Sequence, residues 1–117
     1  MISQKKIINI LNNLKIKKND NLFIHCDLGL IKTYKNQRDL NKMCQTLFNA
    51  LKKVIGKNGT IAVPTFTYSF AKNKSYDSIL SVSECGFFSE FIRKKKMFLD
   101  IMILMFPFQF MVRIQFF

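Results

Sequence analysis

The segment VIGKNGTIAVPTFT, residues 54–67, joins the end of an amphipathic helix to a short buried strand. Gly56 suits the position after the last helical turn, because glycine accepts a left-handed backbone conformation. Residues 57–59, Lys-Asn-Gly, predict a turn. Residues 60–63 are typical of a buried strand, which Pro64 terminates.

The chain before this segment predicts one helix and one further strand. Ser3 is a suitable helix N-cap, and apolar residues follow it at near-helical spacing, so residues 4–16 predict an amphipathic helix. Residues 22–26, Leu-Phe-Ile-His-Cys, are an apolar run that predicts a short buried strand. Residues 29–38 predict a polar loop.

Two more helices are predicted, one on each side of the second strand. Asp39 is the predicted N-cap of the first. Its apolar stripe consists of Leu40, Met43, Cys44, Leu47, Leu51 and Val54. Residues 65–82 predict a long surface loop, after which Ser83 is the predicted cap of the last helix. The residues predicted to face inward from that helix are Phe87, Phe88, Phe91 and Ile92.

The order helix, strand, helix, strand, helix favours parallel strands joined by right-handed crossovers. The predicted fold class is therefore α/β, as a partial three-layer αβα sandwich with a mainly parallel sheet. Two strands cannot cover the faces of three helices. The sequence thus predicts part of a larger sheet, and hence a truncated domain.

Charge and cysteine content limit the classes of function. The formal net charge is +12, carried by sixteen Lys and only three Arg. A small basic module that binds nucleic acid or an anionic membrane surface, without catalysis, is one hypothesis. Against it, the Lys are dispersed and Arg, which supplies bidentate phosphate contacts, is scarce. An anionic ligand such as a nucleotide-bearing cofactor also suits this charge.

The three cysteines, Cys26, Cys44 and Cys85, form no CxxC pair. Their odd number, and the lack of a signal-peptide pattern near residue 1, predict a cytoplasmic protein in a reducing environment. With a single His in the chain, no metal site is expected.

Ordered segments of the chain resemble the aminoglycoside 3-N-acetyltransferase (antibiotic N-acetyltransferase) family. Residues 20–28, DNLFIHCDL, are similar to the family's strand followed by His-Ser-Ser-Leu. Residues 54–56 and 59–67 resemble its Gly-Thr strand that runs into Pro-Thr-Phe-Thr. Residues 86–93, GFFSEFIR, resemble its Gly-x-x-x-Glu-x-x-Arg helix.

The resemblance implies transfer of an acetyl group from acetyl-CoA to the amine of an aminoglycoside or amino sugar. It also implies cofactor-binding residues at the ends of the two strands, where ligands of α/β sheets bind. These residues are His25, Cys26, Asp27, Thr65, Phe66 and Thr67.

Each of these residues also has a simpler interpretation. His25 is equally well a half-buried, satisfied side chain, and the two Thr of residues 65–67 are equally well turn residues. Cys26 and Asp27 stand where the family has Ser, and a carboxylate near CoA phosphates would repel them. Residues 36–38, Asn-Gln-Arg, replace the family's glycine pair. Arg38 or Lys35 would be the alternative phosphate contact, and the simpler interpretation of both is a solvated loop charge.

Residues 97–117 differ in character from residues 1–96. They hold six of the thirteen Phe and four of the six Met, and they lack the Arg-Ser-x-His-Pro-x-x-Ser pattern that the family would have next. With AT-rich codons chosen for residues 98–117, a shifted reading frame can yield Arg-x-x-Asp-Pro-x-x-Ser. The Asp of that motif is forced by the codons of Met102 and Ile103.

A frameshift would account for the apolar tail, and the chain is predicted to be an inactive N-terminal fragment. The family's catalytic His and its acidic partner would lie downstream, so no catalytic residue is assigned. The alternative is a membrane segment over residues 101–112. That run is shorter than the roughly 20 residues needed to span a bilayer, and Pro107 interrupts it, which leaves an interfacial helix as the membrane-bound form.

Overall fold

A computed structural model describes residues 2–28, 36–67, 72–75, 77, 80–95, 99–105 and 108–116. Parts of the two predicted loops, together with Lys35 and Pro107, lie outside these residues. Three helices and four strands are described. In chain order they are α1 (Gln4–Asn13), β1 (Asn21–Phe23), α2 (Gln37–Ile55), β2 (Thr60–Pro64), α3 (Phe87–Arg93), β3 (Leu99–Met105) and β4 (Phe108–Phe116).

Helix α1 confirms the predicted first helix but ends three residues early. The Ser3 hydroxyl accepts a hydrogen bond from the Lys6 amide at 3.3 Å, as expected of an N-cap. Ile7 and Leu11 are buried one helical turn apart. The chain leaves the helix at Leu14, and Lys15 has a positive φ of 65°.

Helix α2 begins before the predicted cap. The Asn36 side chain accepts a hydrogen bond from the Asp39 amide at 3.0 Å, so Asn36 is the N-cap and the prediction of Asp39 was wrong. Asn and Asp are both favourable N-caps. In this helix the free N-terminal amide of Asp39 is bonded by the side chain three residues before it, which is that of Asn36. The end was predicted correctly, since α2 stops at Ile55 and Gly56 has a φ of 72°.

Helix α3 begins later than predicted. Its first residue follows Gly86, whose φ is 102°, and no side chain caps it. Ser83 is therefore not the N-cap, and its hydroxyl instead accepts a bond from the Cys85 amide at 3.2 Å. Phe88 and Ile92 are buried as predicted, whereas Phe87 is 46% exposed and does not face inward.

The sheet confirms the α/β class and the parallel pairing predicted for its first two strands. Strand β1 pairs with β2 in parallel, with Leu22 opposite Ile61. The tail forms two further strands: β4 pairs with β2 and β3 pairs with β4, both antiparallel, giving the order β1-β2-β4-β3. The sheet is thus mixed, and the interfacial-helix interpretation of the tail was wrong.

One face of the parallel strands is covered by helices. Helices α1 and α3 both pack against α2, and Ile61 and Val63 of β2 are fully buried in the same core cluster. On the other face, Phe23 of β1 is 64% exposed. The described residues thus provide one helical layer of the expected three-layer sandwich. No helix within them is both long enough and apolar enough to cross a bilayer.

Candidate functional site

The parallel pairing brings the two predicted cofactor segments to one edge of the sheet. The Ile24 amide donates to the Ala62 carbonyl at 2.8 Å, which continues the pairing just beyond β1. The residues after β1 and those after β2 therefore leave the sheet at the same carboxyl edge. This edge is where ligands of parallel α/β sheets bind.

The segment after β1 presents one charged and one imidazole side chain to solvent. His25 and Asp27 are exposed, Cys26 is half-buried, and Leu28 is buried. The half-buried interpretation of His25 is therefore wrong. Burial, and then the charge of Asp27, raise the pKa of the Cys26 thiol to about 11. This thiol stays protonated at neutral pH and is unsuited to act as a nucleophile.

The segment after β2 is largely covered. Thr65 and Thr67 are 1% and 6% exposed, and Phe66 is half-buried. The Phe66 carbonyl accepts a bond from the Glu84 amide at 3.1 Å and one from the Cys85 thiol at 3.6 Å. The structure thus brings all six predicted residues to one edge but leaves the two Thr little access to a ligand.

Residues 83–86 complete this edge, and the sequence analysis assigned them no role there. Gly86 lies so close to the segment after β1 that an added Cβ would be 3.1 Å from the Cys26 carbonyl oxygen. Together with the Phe66 contacts, this approach joins both strand ends to the start of α3. A glycine directly before a helix was the sequence signal that could have revealed the approach.

Glu90 fixes residues 83–86 to α3. Its carboxylate accepts hydrogen bonds from the Ser83 amide at 2.8 Å and from Arg93 Nε at 2.7 Å, and also from the second guanidinium nitrogen. Burial acts to raise the pKa of Glu90. The bonds from Arg93 and Ser83, and the charges of Arg93 and Lys94, outweigh burial and hold that pKa below its usual value. Glu90 is therefore ionised at neutral pH.

A groove of about 600 Å³ runs between the first turns of α2 and the exposed face of α3. Its cationic residues are Arg38 and Lys42 from α2, and Lys94 and Lys95 from the end of α3. Among the described residues that line it, Glu90 is the one acidic side chain. Of these four, only Arg38 was expected from the sequence to contact phosphate; Lys35, the other residue expected to do so, lies outside the described residues. The other three could not be predicted, because the packing of α3 on α2 was not known.

Comparison with known proteins identifies the fold. No protein-family model matches the chain, and no curated protein matches it. Several solved structures are similar to it. Aminoglycoside acetyltransferase AAC(3)-Xa has a TM-score of 0.73 and 18% identity over 99% of this chain. AAC-IIIb in a binary complex with CoASH has a TM-score of 0.70 and 13% identity, also over 99%. The chain has the fold of these acetyltransferases.

A third likeness, to AAC-VIa bound to sisomicin, has a TM-score of 0.69 and 20% identity over 97% of this chain. The chain spans 44% of AAC(3)-Xa and 46% of each of the other two. Because almost all of the chain is covered, most residues of the tail strands fall within the aligned region. The resemblance to the acetyltransferase family seen in the sequence is thus matched by the fold.

Proposed function

We propose that this chain is the N-terminal part of an acetyl-CoA-dependent N-acetyltransferase whose substrate is an aminoglycoside or amino sugar. The observation that carries the proposal is the fold likeness to aminoglycoside acetyltransferases over 97–99% of the chain. One of those structures holds CoASH and another holds sisomicin. The residues that follow β1 and β2 in two of the family-like segments leave the sheet at its carboxyl edge, where ligands of parallel α/β sheets bind.

The residues of this edge fit a CoA thioester in part. His25 is exposed and can donate a hydrogen bond, and the cationic groove beside the edge suits phosphate groups. The exposed carboxylate of Asp27 opposes phosphate nearby, so Asp27 is assigned to the thioester side of the cofactor. Because Thr65 and Thr67 are buried, we propose that they hold this segment in place and that Phe66 is its residue most accessible to the cofactor.

Acetyl-CoA would supply an activated acyl group. In the transfer, the substrate nitrogen forms a bond to the acyl carbon, the carbon–sulfur bond breaks, and the nitrogen loses a proton to a base. The described residues offer no thiolate at neutral pH, since burial raises the pKa of all three Cys thiols. By resemblance the base belongs to a segment outside these 117 residues, so we propose that the chain binds cofactor without catalysing transfer.

Calorimetric titration of the 117-residue chain with CoA tests the cofactor assignment. We expect saturable binding, and a loss of about threefold to tenfold in affinity for His25→Ala, the size of one net hydrogen bond. Asn58→Ala is the matched control, because Asn58 is exposed in the turn at the opposite edge of the sheet. No binding of CoA by the unaltered chain would refute the assignment.

An acetylation assay tests the predicted inactivity. The chain, acetyl-CoA and either an aminoglycoside or an amino sugar would be incubated, and release of the CoA thiol would be followed. We expect a rate equal to that of buffer. Any product formed above that background would show that the base is already present in the chain, and would end the inactive-fragment proposal.

We further propose that residues 97–117 are read in a shifted frame, and that residues 1–96 are the native-frame part. The support is that the other frame can encode Arg-x-x-Asp-Pro-x-x-Ser, whose Asp is forced by the codons of Met102 and Ile103. Independent sequencing of the gene from the codon of Ile92 onward tests this proposal, and an unchanged frame would refute it. A cytoplasmic location is proposed as well, since three free thiols suit a reducing compartment.

A further inference from the structure

Six lysines that are separated in the sequence meet at the amino edge of the sheet. Both parallel strands begin at this edge, with Asn21 of β1 opposite Thr60 of β2. One group of lysines lies in the segment before β1, and the other lies at the end of α2 and in the turn before β2. These six exposed residues form the basic patch: Lys15, Lys17, Lys18, Lys52, Lys53 and Lys57.

Backbone and side-chain contacts hold the two groups of lysines against each other. The Asn19 amide donates a hydrogen bond to the Ile55 carbonyl at 2.8 Å, which ties the segment before β1 to the end of α2. The Lys18 side chain crosses Gly56, where its Cγ would lie 3.4 Å from an added Cβ. The basic patch is therefore a product of the fold, although its lysines are dispersed in the sequence.

Little negative charge offsets the basic patch. Residues 3–20 and 52–60 contain one acidic residue, Asp20, whose carboxylate accepts a hydrogen bond from the Lys17 amide at 2.8 Å. Helices α1 and α2 both end here, and each carbonyl end contributes only roughly half a negative charge. Within the described residues, none of the five patch lysines other than Lys52 forms an ion pair. The patch therefore keeps most of its positive charge.

Two exposed aliphatic side chains continue this surface along α1. Ile10 is 46% exposed, and Leu14, the residue directly before Lys15, is 66% exposed. They are four residues apart, so they lie next to each other on one face of the helix. Lysines beside exposed aliphatic groups on a helix are typical of a surface that lies on an anionic membrane, where the apolar groups enter the boundary below the headgroups.

The composition of this surface favours lipid headgroups over nucleic acid. Both carry phosphate, but nucleic-acid surfaces commonly use Arg for bidentate contacts and aromatic rings for base stacking. Residues 3–20 and 52–60 contain neither Arg nor an aromatic residue. Lysine is a compact point charge, which suits the summed negative potential of a fluid layer of headgroups.

We propose that the basic patch, together with Ile10 and Leu14, binds the surface of a membrane that contains anionic phospholipids. The lysines are attracted to the headgroups, and the two aliphatic side chains enter the interface without crossing the bilayer. His25 and Phe66 lie at the opposite, carboxyl edge of the sheet, so they stay on the side away from the lipid. This binding does not depend on the proposed function.

Co-sedimentation of the full chain with vesicles tests this surface. The vesicles contain either phosphatidylcholine alone or phosphatidylcholine with about one-third phosphatidylglycerol, which supplies a negative surface potential. The patch variant is Lys17→Gln with Lys53→Gln and Lys57→Gln. The matched control removes the same charge from exposed residues in the first turns of α2, after β2 and after α3: Lys42→Gln with Lys74→Gln and Lys94→Gln. Circular dichroism would check that both variants fold.

We expect the unaltered chain to bind only the anionic vesicles and to be released at about 0.5 M salt, where the Debye length is about 4 Å. The patch variant should bind at least about tenfold more weakly and the control less than about threefold, since only the patch lysines lie near the headgroups. Ile10→Ser with Leu14→Ser should weaken binding about fivefold or more, because two aliphatic side chains no longer enter the interface.

Absence of binding to the anionic vesicles would overturn the proposal. Equal losses in the patch variant and the control would do the same, because they would indicate a response to net charge alone. Titration with an oligonucleotide distinguishes the two kinds of phosphate surface. If the oligonucleotide binds more tightly than the vesicles, or if Ile10→Ser with Leu14→Ser leaves vesicle binding unchanged, the assignment to lipid is wrong.

Discussion

Replacing Glu90 with glutamine tests whether one buried ion pair holds the start of α3 against the sheet edge. The side chains of Glu90 and Arg93 are only 14% and 9% exposed. The Glu90 carboxylate accepts bonds from Ser83 and Arg93, and glutamine keeps the shape but loses the charge. The change removes the negative charge that faces the Arg93 guanidinium in a largely buried position.

The expected loss in free energy of unfolding follows from these contacts. A hydrogen bond to a charged group contributes about 1.5–3 kcal/mol. Breaking a buried ion pair by removing one partner costs about 3–5 kcal/mol. Because glutamine still offers one acceptor oxygen, we expect Glu90→Gln to cost about 2–3 kcal/mol. That is a large share of the stability of a small domain.

Glu84→Gln is the matched control, since it removes the same charge from an exposed pair. Lys72 Nζ lies 2.6 Å from Glu84, but the two side chains are 52% and 33% exposed. Such pairs contribute about 0–1 kcal/mol. Urea unfolding followed by circular dichroism would measure both variants, and a loss for Glu90→Gln no greater than that for Glu84→Gln would refute the reasoning.

The loss of stability caused by Glu90→Gln should also depend on pH. The pKa of Glu90 is lowered from its usual 4.5 in the folded chain. A lowered folded pKa adds stability that is present above the unfolded value and is lost as the pH falls through the folded value. The difference between the unaltered chain and Glu90→Gln should therefore be complete near pH 7 and shrink below 4.5. A difference that stays constant on acidification would contradict this account.

Three further changes have defined outcomes. Gly59→Ala should cost about 1–3 kcal/mol in urea unfolding by overpacking, because the added Cβ would lie 2.6 Å from Ile55 Cβ; an unchanged midpoint would contradict this. In the same urea unfolding measurement, Asn36→Ala should lower the free energy of unfolding by about 1 kcal/mol and Asp39→Ala by only a few tenths. The reverse order would identify Asp39 as the cap. Cys26, with a pKa of about 11, should be alkylated near pH 8 far more slowly than in the urea-unfolded chain; peptide mass analysis would detect equal rates, which would exclude the raised pKa.

The sequence predicted the core elements well where periodicity and turn chemistry agreed. The stripe from Leu40 to Leu51 and the Gly56 end defined α2, and the apolar run before Pro64 defined β2. Helix starts were predicted less well, because Asn36 and Asp39 are both good caps and only geometry selects one. Ser83 likewise had the right chemistry, but its oxygen serves the Cys85 amide inside a turn.

The candidate site was predicted in its position but not in its exposure. Parallel pairing alone brings His25 and Phe66 to one edge, and that much follows from the order of elements. Thr65 and Thr67 are buried, and residues 84 and 85 bond to the Phe66 carbonyl between them, a long-range contact that no local pattern predicts. The groove required the packing of α3 on α2, a contact between segments about 45 residues apart in sequence.

The secondary structure of residues 97–117 was predicted least well from the sequence. A continuous apolar run without alternation does not distinguish a strand from a helix or a membrane segment. In the structure β4 pairs with β2 at every position from Thr60 to Pro64. Removing β4 would leave the buried strand with unpaired backbone groups along that side, at about 1–3 kcal/mol for each one that stays buried. The reading-frame proposal therefore carries a structural requirement: the residues encoded in the other frame must themselves supply a strand beside β2.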